Sequence, residues 1–212
     1  MPLLAVVGPT GTGKSDLGIA LAQHLTNSGR PAEIINIDSM QFYRGMDIGT
    51  AKLPEADRGG VPHHLLDFLE ITEESTAANY QELARPLIEQ LQSRGVIPIL
   101  VGGSMLYIAA VLNDFNFPGT DAALRAQLEA DLEEHGPVEL HRRLAKLDPT
   151  AAERIIPQNG RRVVRALEIV TMTGQPFAAA LPDVPVEWQR SLQIGLNGPR
   201  EELVSRLEAR VQ

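Results

Sequence analysis

A chain of 212 residues, 43% hydrophobic and 22% charged, has the balance of a folded globular protein, which excludes global disorder and leaves room for one main domain plus an insertion. The absence of cysteine excludes structural disulfides, thiolate metal sites and a secreted disulfide scaffold, and fits a cytoplasmic protein. A formal net charge of -8 argues against a protein that coats nucleic acid indiscriminately, because neutralising phosphates takes clustered Lys and Arg, but it leaves a local basic patch open.

Residues 3–7 are a short apolar run without a basic leader or cleavage site, and they read as a buried strand. No later segment is long enough to span a bilayer, so no membrane partner is expected. Residues 8–13 form a Gly-rich loop, and residues 14–26 a helix with Leu17, Ala20, Leu21 and Leu25 on one face, ended by Gly29. Residues 34–37 make a second apolar run that stops at Asp38. Strand, helix and strand in succession imply two parallel strands joined by a right-handed crossover. Residues 41–67 carry several Gly and Pro without a sustained period and read as an ordered surface loop. Residues 79–94 read as a helix closed by Gly95, residues 96–101 as the next strand despite Pro98, and residues 105–112 as a helix.

From residue 121 to 173 the pattern turns to helices alone, broken at Gly136-Pro137, at Asp148-Pro149 and over residues 157–160, which predicts an inserted helical subdomain. Residues 178–185 are a Pro-rich connector and residues 192–196 a returning strand. Residues 201–212 form an amphipathic helix through Leu203, Leu207 and Val211 that carries no stop signal, so the chain is expected to end in mid-element. The organisation this predicts is an α/β core over 1–118 and 186–212, a parallel sheet flanked by helices, with an all-helical insertion over 119–185.

Gly8-Pro9-Thr10-Gly11-Thr12-Gly13-Lys14-Ser15 matches G-x-x-x-x-G-K-[ST], follows a strand and opens a helix, as that pattern requires. Glycines at 8, 11 and 13 let backbone N–H groups converge on an anion, the helix N-terminus adds about half a positive charge, and Lys14 adds a full one. Ser15 is placed to hold a Mg2+ that bridges phosphate oxygens. The core is therefore expected to be P-loop NTPase-like and to bind a di- or triphosphate. The plainer alternative is a tight strand-helix turn that binds nothing.

Ligands of a parallel sheet bind outside the carboxyl ends of its strands, which is where Asp38 and Gly102-Gly103-Ser104 fall. Asp38 there has three open roles: orienting Mg2+, accepting a proton, or capping the next turn. Gly102 and Gly103 allow close backbone approach to a ligand or serve a tight turn, and Ser104 is placed to cap the helix at Met105. His63 and His64 are adjacent, point to opposite sides of an extended segment and read as structural.

Five further blocks accompany the phosphate loop. They are Asp38-Ser39-Met40-Gln41 with Tyr43, Gly45-Met46-Asp47-Ile48-Gly49-Thr50-Ala51-Lys52, Pro62-His63-His64-Leu65-Leu66-Asp67, Gly102-Gly103-Ser104-Met105-Leu106-Tyr107, and Arg161-Arg162-Val163-Val164-Arg165-Ala166-Leu167-Glu168. In this order they resemble the bacterial tRNA dimethylallyltransferases, also called tRNA isopentenyltransferases. The resemblance implies transfer of a dimethylallyl group from dimethylallyl pyrophosphate to N6 of adenosine 37, in tRNAs that read codons beginning with U. It implies a pyrophosphate site at Gly8, Thr10, Gly11, Thr12, Gly13, Lys14 and Ser15, with Mg2+ on Ser15. The implied catalytic residues are Asp38, which assists proton removal, Lys14, which neutralises the leaving group, and Ser104, which hydrogen-bonds near the reacting centre. The implied tRNA contacts are Asp38, Ser39, Met40, Gln41, Ser104, Arg125, Arg161, Arg162, Val163, Val164 and Arg165. The target base has to turn out of the anticodon loop, at a cost that loop geometry reduces. A monomer is expected.

Without the resemblance, Arg161, Arg162 and Arg165 read as a solvated helix face with one ion pair to Glu168. The sequence departs from its relatives in having Gly11-Thr12 for Ala-Ser, Ser104 for Thr, and Leu53 ahead of Pro54. Relatives also continue past residue 212 with helices carrying a further basic residue near the pyrophosphate, which puts transfer, more than prenyl pyrophosphate binding, in question for the chain as written. Three rivals stay open: a small-molecule or nucleotide kinase on the same loop, an adenylate isopentenyltransferase acting on free nucleotide, and a non-catalytic RNA-binding module.

Overall fold

Five strands, β1 (Leu3–Val7), β2 (Ala32–Asn36), β3 (His63–His64), β4 (Ile97–Gly102) and β5 (Ser191–Gly195), form one sheet in the order β3-β2-β4-β1-β5. Every pairing is parallel. The computed structural model describes residues 1–115, 117–177 and 186–211 of the chain. Parallel strands need crossovers, and α1 (Lys14–Asn27), α2 (Ala77–Ser93) and α3 (Met105–Leu112) supply helices to both faces. Alternation along the strands divides the core. Leu3, Ala5, Ile35 and Leu100 pack with Tyr80, Ala84, Ile88, Ile108 and Val111, while Leu4, Val6, Ile34, Ile99 and Val101 pack with Ala22 of α1. Burial on both faces is why these strands read as unbroken apolar runs.

Pro98 is tolerated in a central strand because β1 does not begin to pair with β4 until Ile99, so the missing N–H falls outside that ladder. The strand β3 was read as loop; two histidines carry no period, yet they pair with Ile34 and Ile35 and extend the sheet past β2. The helix α2 starts ahead of the expected residue 79, since the Thr76 hydroxyl accepts from the Asn79 N–H at 3.1 Å and caps it.

Residues Met1–Phe115 with Val186–Gln212 form one compact unit and Asn116–Pro185 a second. The division falls at Phe115 rather than at residue 118, because Arg165 donates to the carbonyls of Pro118 and Gly119, at 2.7 and 3.1 Å, and so ties the segment to the helical unit. That unit consists of α4 (Ala122–Leu147), α5 (Pro149–Arg154) and α6 (Gly160–Thr173) around Leu140, Leu144, Ala151, Val163, Val164 and Leu167. The Gly-Pro break is present as a kink, with Gly136 at φ 77°. Asp148 Oδ1 caps α5 while its Oδ2 accepts from the Phe177 N–H at 2.6 Å. The first unit ends in α7 (Arg200–Val211). The connector read over residues 178–185 lies outside the described residues, as do the Val211 side chain and Gln212.

One position fixes the spacing at the carboxyl edge of the sheet. A Cβ on Gly102 would lie 2.5 Å from the Ile37 carbonyl carbon and 2.8 Å from the Asp38 nitrogen, both backbone atoms that cannot rotate away. Gly102→Ala is expected to lower unfolding stability by about 2 kcal/mol in denaturant titrations, the typical cost of overpacking. Gly45→Ala, where nothing stands within 4 Å but φ is 72°, is the comparison that separates backbone conformation from collision.

Candidate functional site

The phosphate loop wraps as its glycines allow. Gly11 and Gly13 have φ of 86° and 82°, left-handed values that cost a residue with a Cβ about 1 to 2 kcal/mol. Thr12 Oγ1 and Lys14 Nζ each donate to the Pro9 carbonyl at 2.8 Å. Gly103 lies close to the loop: a Cβ there would stand 3.0 Å from the Gly8 carbonyl oxygen, a tight approach, and in ordinary contact with Lys14 Nζ at 3.5 Å. Gly102, the last residue of β4, and Gly103 thus admit neighbouring parts of this chain, Ile37–Asp38 at one and the phosphate loop at the other.

A cavity of about 310 Å³ opens at this edge, lined by Thr10, Gly11, Gly13, Lys14, Ser15 and Asp16 on one side. Its floor is Ile34, Asn36, Asp38, Val101 and Gly102, and its far wall is Gln41, Thr50, Ala51, Lys52, Leu53, His63 and Leu66. Lys14 and Ser15 therefore share one cavity with Asp38, which lies beyond the next strand in the chain. Asp38 Oδ1 accepts from the Met40 N–H at 3.1 Å, so the capping role is real, and the cap leaves Oδ2 without a protein partner among the described residues. Ser104 is not in the lining, nor does its side chain cap α3. Its Oγ instead accepts from the Ser39 N–H at 2.9 Å and donates to Ser39 Oγ at 3.2 Å, which pins the Asp38-to-Gln41 turn. Met40 is half-exposed, and Gln41 Nε2 donates to the Thr50 carbonyl at 3.0 Å.

Among the described residues no group of three or more His, Cys, Asp or Glu could hold a metal ion. The Ser15 hydroxyl and Asp38 carboxylate at the cavity are hard oxygen donors in small number, which fits Mg2+, an ion held mainly by phosphate oxygens and water with one or two protein ligands.

Two features of the site escaped the sequence reading. The first is Lys52, whose side chain is 3% exposed and whose Nζ donates to the Tyr43 carbonyl at 2.7 Å, to Asp47 at 2.9 Å and to Asp67 at 2.5 Å. Burial pulls its pKa down, but the hydrogen bonds to Asp47 and Asp67 outweigh burial and hold it above the ordinary lysine value. Around this knot Ala51, Leu65 and Asp67 all have φ between 51° and 55°, left-handed values for residues that carry a Cβ, and Ala51 and Lys52 line the cavity. The second is Arg206 of α7, whose Nη1 donates to the Gly11 carbonyl at 3.3 Å. A basic residue beside the phosphate loop was expected only beyond residue 212. His63, also at the wall, is held below the usual histidine pKa by burial, with Arg58 and His64 adding to the effect, while its contact to the Val61 carbonyl opposes it. Nothing in its surroundings makes it a ligand.

In the helical unit the expected tRNA contacts divide. Val163 and Val164 are buried in the core, while Arg161 and Arg162 are exposed. Arg125 and Arg165 both close on Glu168, which is fully buried. Glu168 Oε2 accepts from Arg165 Nη1 at 2.7 Å and from Arg125 Nη2, and Oε1 accepts from the Asp121 N–H at 3.1 Å. The single ion pair read from the sequence is one arm of a three-residue knot. Burial would raise the Glu168 pKa, but the hydrogen bonds and charges of the two arginines outweigh it and hold it below the ordinary value.

The family profile described as IPP transferase matches residues 41–212. The tRNA dimethylallyltransferase of Thermobifida fusca is 58% identical over 209 residues, which cover 99% of this chain and 65% of that protein. That of Clavibacter sepedonicus is 57% identical over 211 residues, 99% and 68% of the two chains. Among solved structures, the tRNA isopentenylpyrophosphate transferase of Bacillus halodurans is similar with a TM-score of 0.61 and 43% identity, over 99% of this chain and 64% of that one. A eukaryotic dimethylallyltransferase acting on tRNA gives a TM-score of 0.82 at 31% identity, over 99% and 51%. The chain spans about two thirds of the length of these bacterial relatives, 65% in the first case.

Glu168 offers a direct check on the helical unit. Because its folded-state pKa is depressed, its contribution is complete above the unfolded-state value near 4.5 and is lost as pH falls through the lower folded-state value. Glu168→Gln keeps the shape and strands two guanidinium groups, so at pH 7 it is expected to cost about 3 kcal/mol in melts followed by circular dichroism. The deficit relative to the parent should begin to narrow below pH 4.5, where the unfolded parent takes up a proton, and close only once pH has fallen through the lower folded-state value.

Proposed function

This chain belongs to the IPP transferase family, and we propose that it forms the catalytic part of an enzyme that transfers a dimethylallyl group from dimethylallyl pyrophosphate to N6 of adenosine 37 in tRNAs reading codons that begin with U. The observation that carries this reading is that the Lys14 loop and Asp38 line one cavity. A phosphate cradle alone is equally suited to a kinase. What favours alkyl transfer is family membership, since a carboxylate beside the loop would serve a kinase equally well.

The exocyclic amine of adenine is a poor nucleophile because its lone pair is delocalised into the ring, so orientation and proton removal have to help it. In the proposed reaction the N6 nitrogen bonds to C1 of the dimethylallyl group as the C1–O bond breaks. The bonding electrons leave on pyrophosphate, and the N6 proton passes to the Asp38 carboxylate. The loop N–H groups and Lys14 stabilise the departing charge, with Arg206 close enough to the loop at Gly11 to add to that field. Mg2+ would be held through Ser15 and, when bound, supplies further neutralisation of the pyrophosphate oxygens. Ser104 serves the reaction through Ser39, by fixing the turn that follows Asp38. Arg161 and Arg162 present positive charge to the RNA backbone, whereas Arg125 and Arg165 act by bracing the helical unit around Glu168.

The test is prenyl transfer to unmodified tRNA by the full-length protein, read by mass spectrometry of the nucleosides. Asp38→Asn is expected to lower kcat by about 100-fold or more, the range for a lost general base, with the KM for dimethylallyl pyrophosphate changing little. Lys14→Ala is expected to weaken both kcat and pyrophosphate binding. Turnover of ATP without prenylated nucleoside would overturn the proposal in favour of a kinase.

A further inference from the structure

Asn36 is the last residue of β2 and only 4% exposed, at a position where a strand end set among Ile and Val side chains normally takes another apolar residue. A buried amide is unfavourable unless its polar atoms are paired. Here they are, and the partners converge. Oδ1 accepts from the Asp38 N–H at 3.2 Å, and Nδ2 donates to the Asp38 carbonyl at 3.3 Å and to the Leu65 carbonyl at 3.1 Å. The Asn36 main-chain carbonyl in turn accepts from the Tyr80 hydroxyl, which is fully buried beneath it. One carboxamide thus grips the peptide groups on both sides of Asp38 and fastens them to Leu65, a residue in left-handed conformation on the facing loop.

We infer that Asn36 is a positioning residue for the reaction, its buried carboxamide locking the Asp38 backbone so that the carboxylate stays aimed into the cavity. The inference rests on the reading of Asp38 as the proton acceptor. The carboxylate needs such support because the chain leaves the sheet just there: Asp38 turns at φ -106° and ψ 111° into a single helical turn with only the Met40 N–H on Oδ1. Reacting groups tolerate displacements well below 1 Å, and a misplacement of about that size costs up to about 100-fold in rate. A purely structural asparagine would hold the Leu65 loop without bearing on the chemical step. Here two of its three side-chain hydrogen bonds go to Asp38 itself.

A double-mutant cycle in the full-length protein separates the two. Single-turnover prenyl transfer is measured for the parent, Asn36→Ala, Asp38→Ala and the double variant, with binding of inorganic pyrophosphate as the check that the phosphate loop is intact. Asn36→Ala is expected to lower the rate about 10- to 100-fold while pyrophosphate affinity changes less than about 3-fold, and to cost under about 2-fold more once Asp38 is already Ala. Equal losses on both backgrounds, or no loss on the parent background, overturn the positioning role while leaving Asp38 as the base. An Asp38→Ala protein at full rate overturns the base assignment and the inference with it, and is recognised by that single variant alone. Tyr80→Phe keeps the buried ring and removes only the hydroxyl under Asn36. It is expected to move the rate the same way by about 3- to 10-fold, so the result does not depend on Asn36→Ala folding well.

Discussion

No side chain fits where β4 ends against the end of β2. The backbone of Gly102 lies so near Ile37 and Asp38 that a Cβ would stand 2.5 Å from the Ile37 carbonyl carbon, and on the next residue, Gly103, one would stand 3.0 Å from the Gly8 carbonyl oxygen. This close approach brings an anion cradle built at the end of β1 and a carboxylate at the end of β2 to the same cavity. In parallel sheets the strand order decides which loops are neighbours, and here β4 lies between β1 and β2. A bulky residue at the end of β4 would push the two halves of the site apart, so the smallest residues in the chain stand at its centre.

The far wall is held differently. Its loop has little regular structure, and three of its non-glycine residues sit at positive φ, each a local cost of order 1 kcal/mol or more. Lys52 and Asn36 offset that cost from beneath. The lysine draws Tyr43, Asp47 and Asp67 onto one ammonium, and the asparagine ties Leu65 to the end of β2. Phe42 stacks on Tyr80 with centroids 4.8 Å apart and meets Phe68 and Tyr107, closing an aromatic layer under the same loop. These ties all come from within the chain, which is the arrangement a preorganised reaction site calls for.

What the sequence revealed and what it hid follow from the range of the interactions. The strands β1, β2 and β4 were legible because burial on both faces leaves an apolar run. The phosphate loop was legible because its function needs fixed residue types at fixed spacing. Lys14, Ser15 and Asp38 could be placed at one edge because each follows the carboxyl end of a parallel strand. The two-residue β3 was not legible, since His63 and His64 gain strand character only by pairing with Ile34 and Ile35. Lys52 and Arg206 stayed hidden for a similar reason, the arginine meeting a loop 195 positions away in the chain. Ser104 was open to a cap or a role near the reaction, and its hydroxyl went to Ser39, a partner no local pattern indicates. The arginines of α6 look alike in sequence; only packing distinguishes Arg165, turned inward onto Glu168, from exposed Arg161 and Arg162.

That division bears on how an acidic protein would hold RNA under the proposed function. Each phosphate neutralised by a cation contributes about 0.7 to 0.9 to the slope of affinity against salt, so the number of available cations sets how electrostatic the binding is. Arg125 and Arg165 are committed to one buried carboxylate, and Arg143 is held at 2.5 Å by Asp131. Exposed Arg142, Lys146, Arg154 and Arg161 of the same unit take no part in those pairs, so cations remain there for phosphates despite a net charge of -8 over the chain. Phosphate contacts would position the RNA, and contacts to the unstacked base would come from the turn from Asp38 to Gln41, where pinning by Ser104 and Asn36 supplies the rigidity. The same fixed turn would serve substrate choice and proton removal, because both depend on one backbone segment being held still at the edge of the sheet.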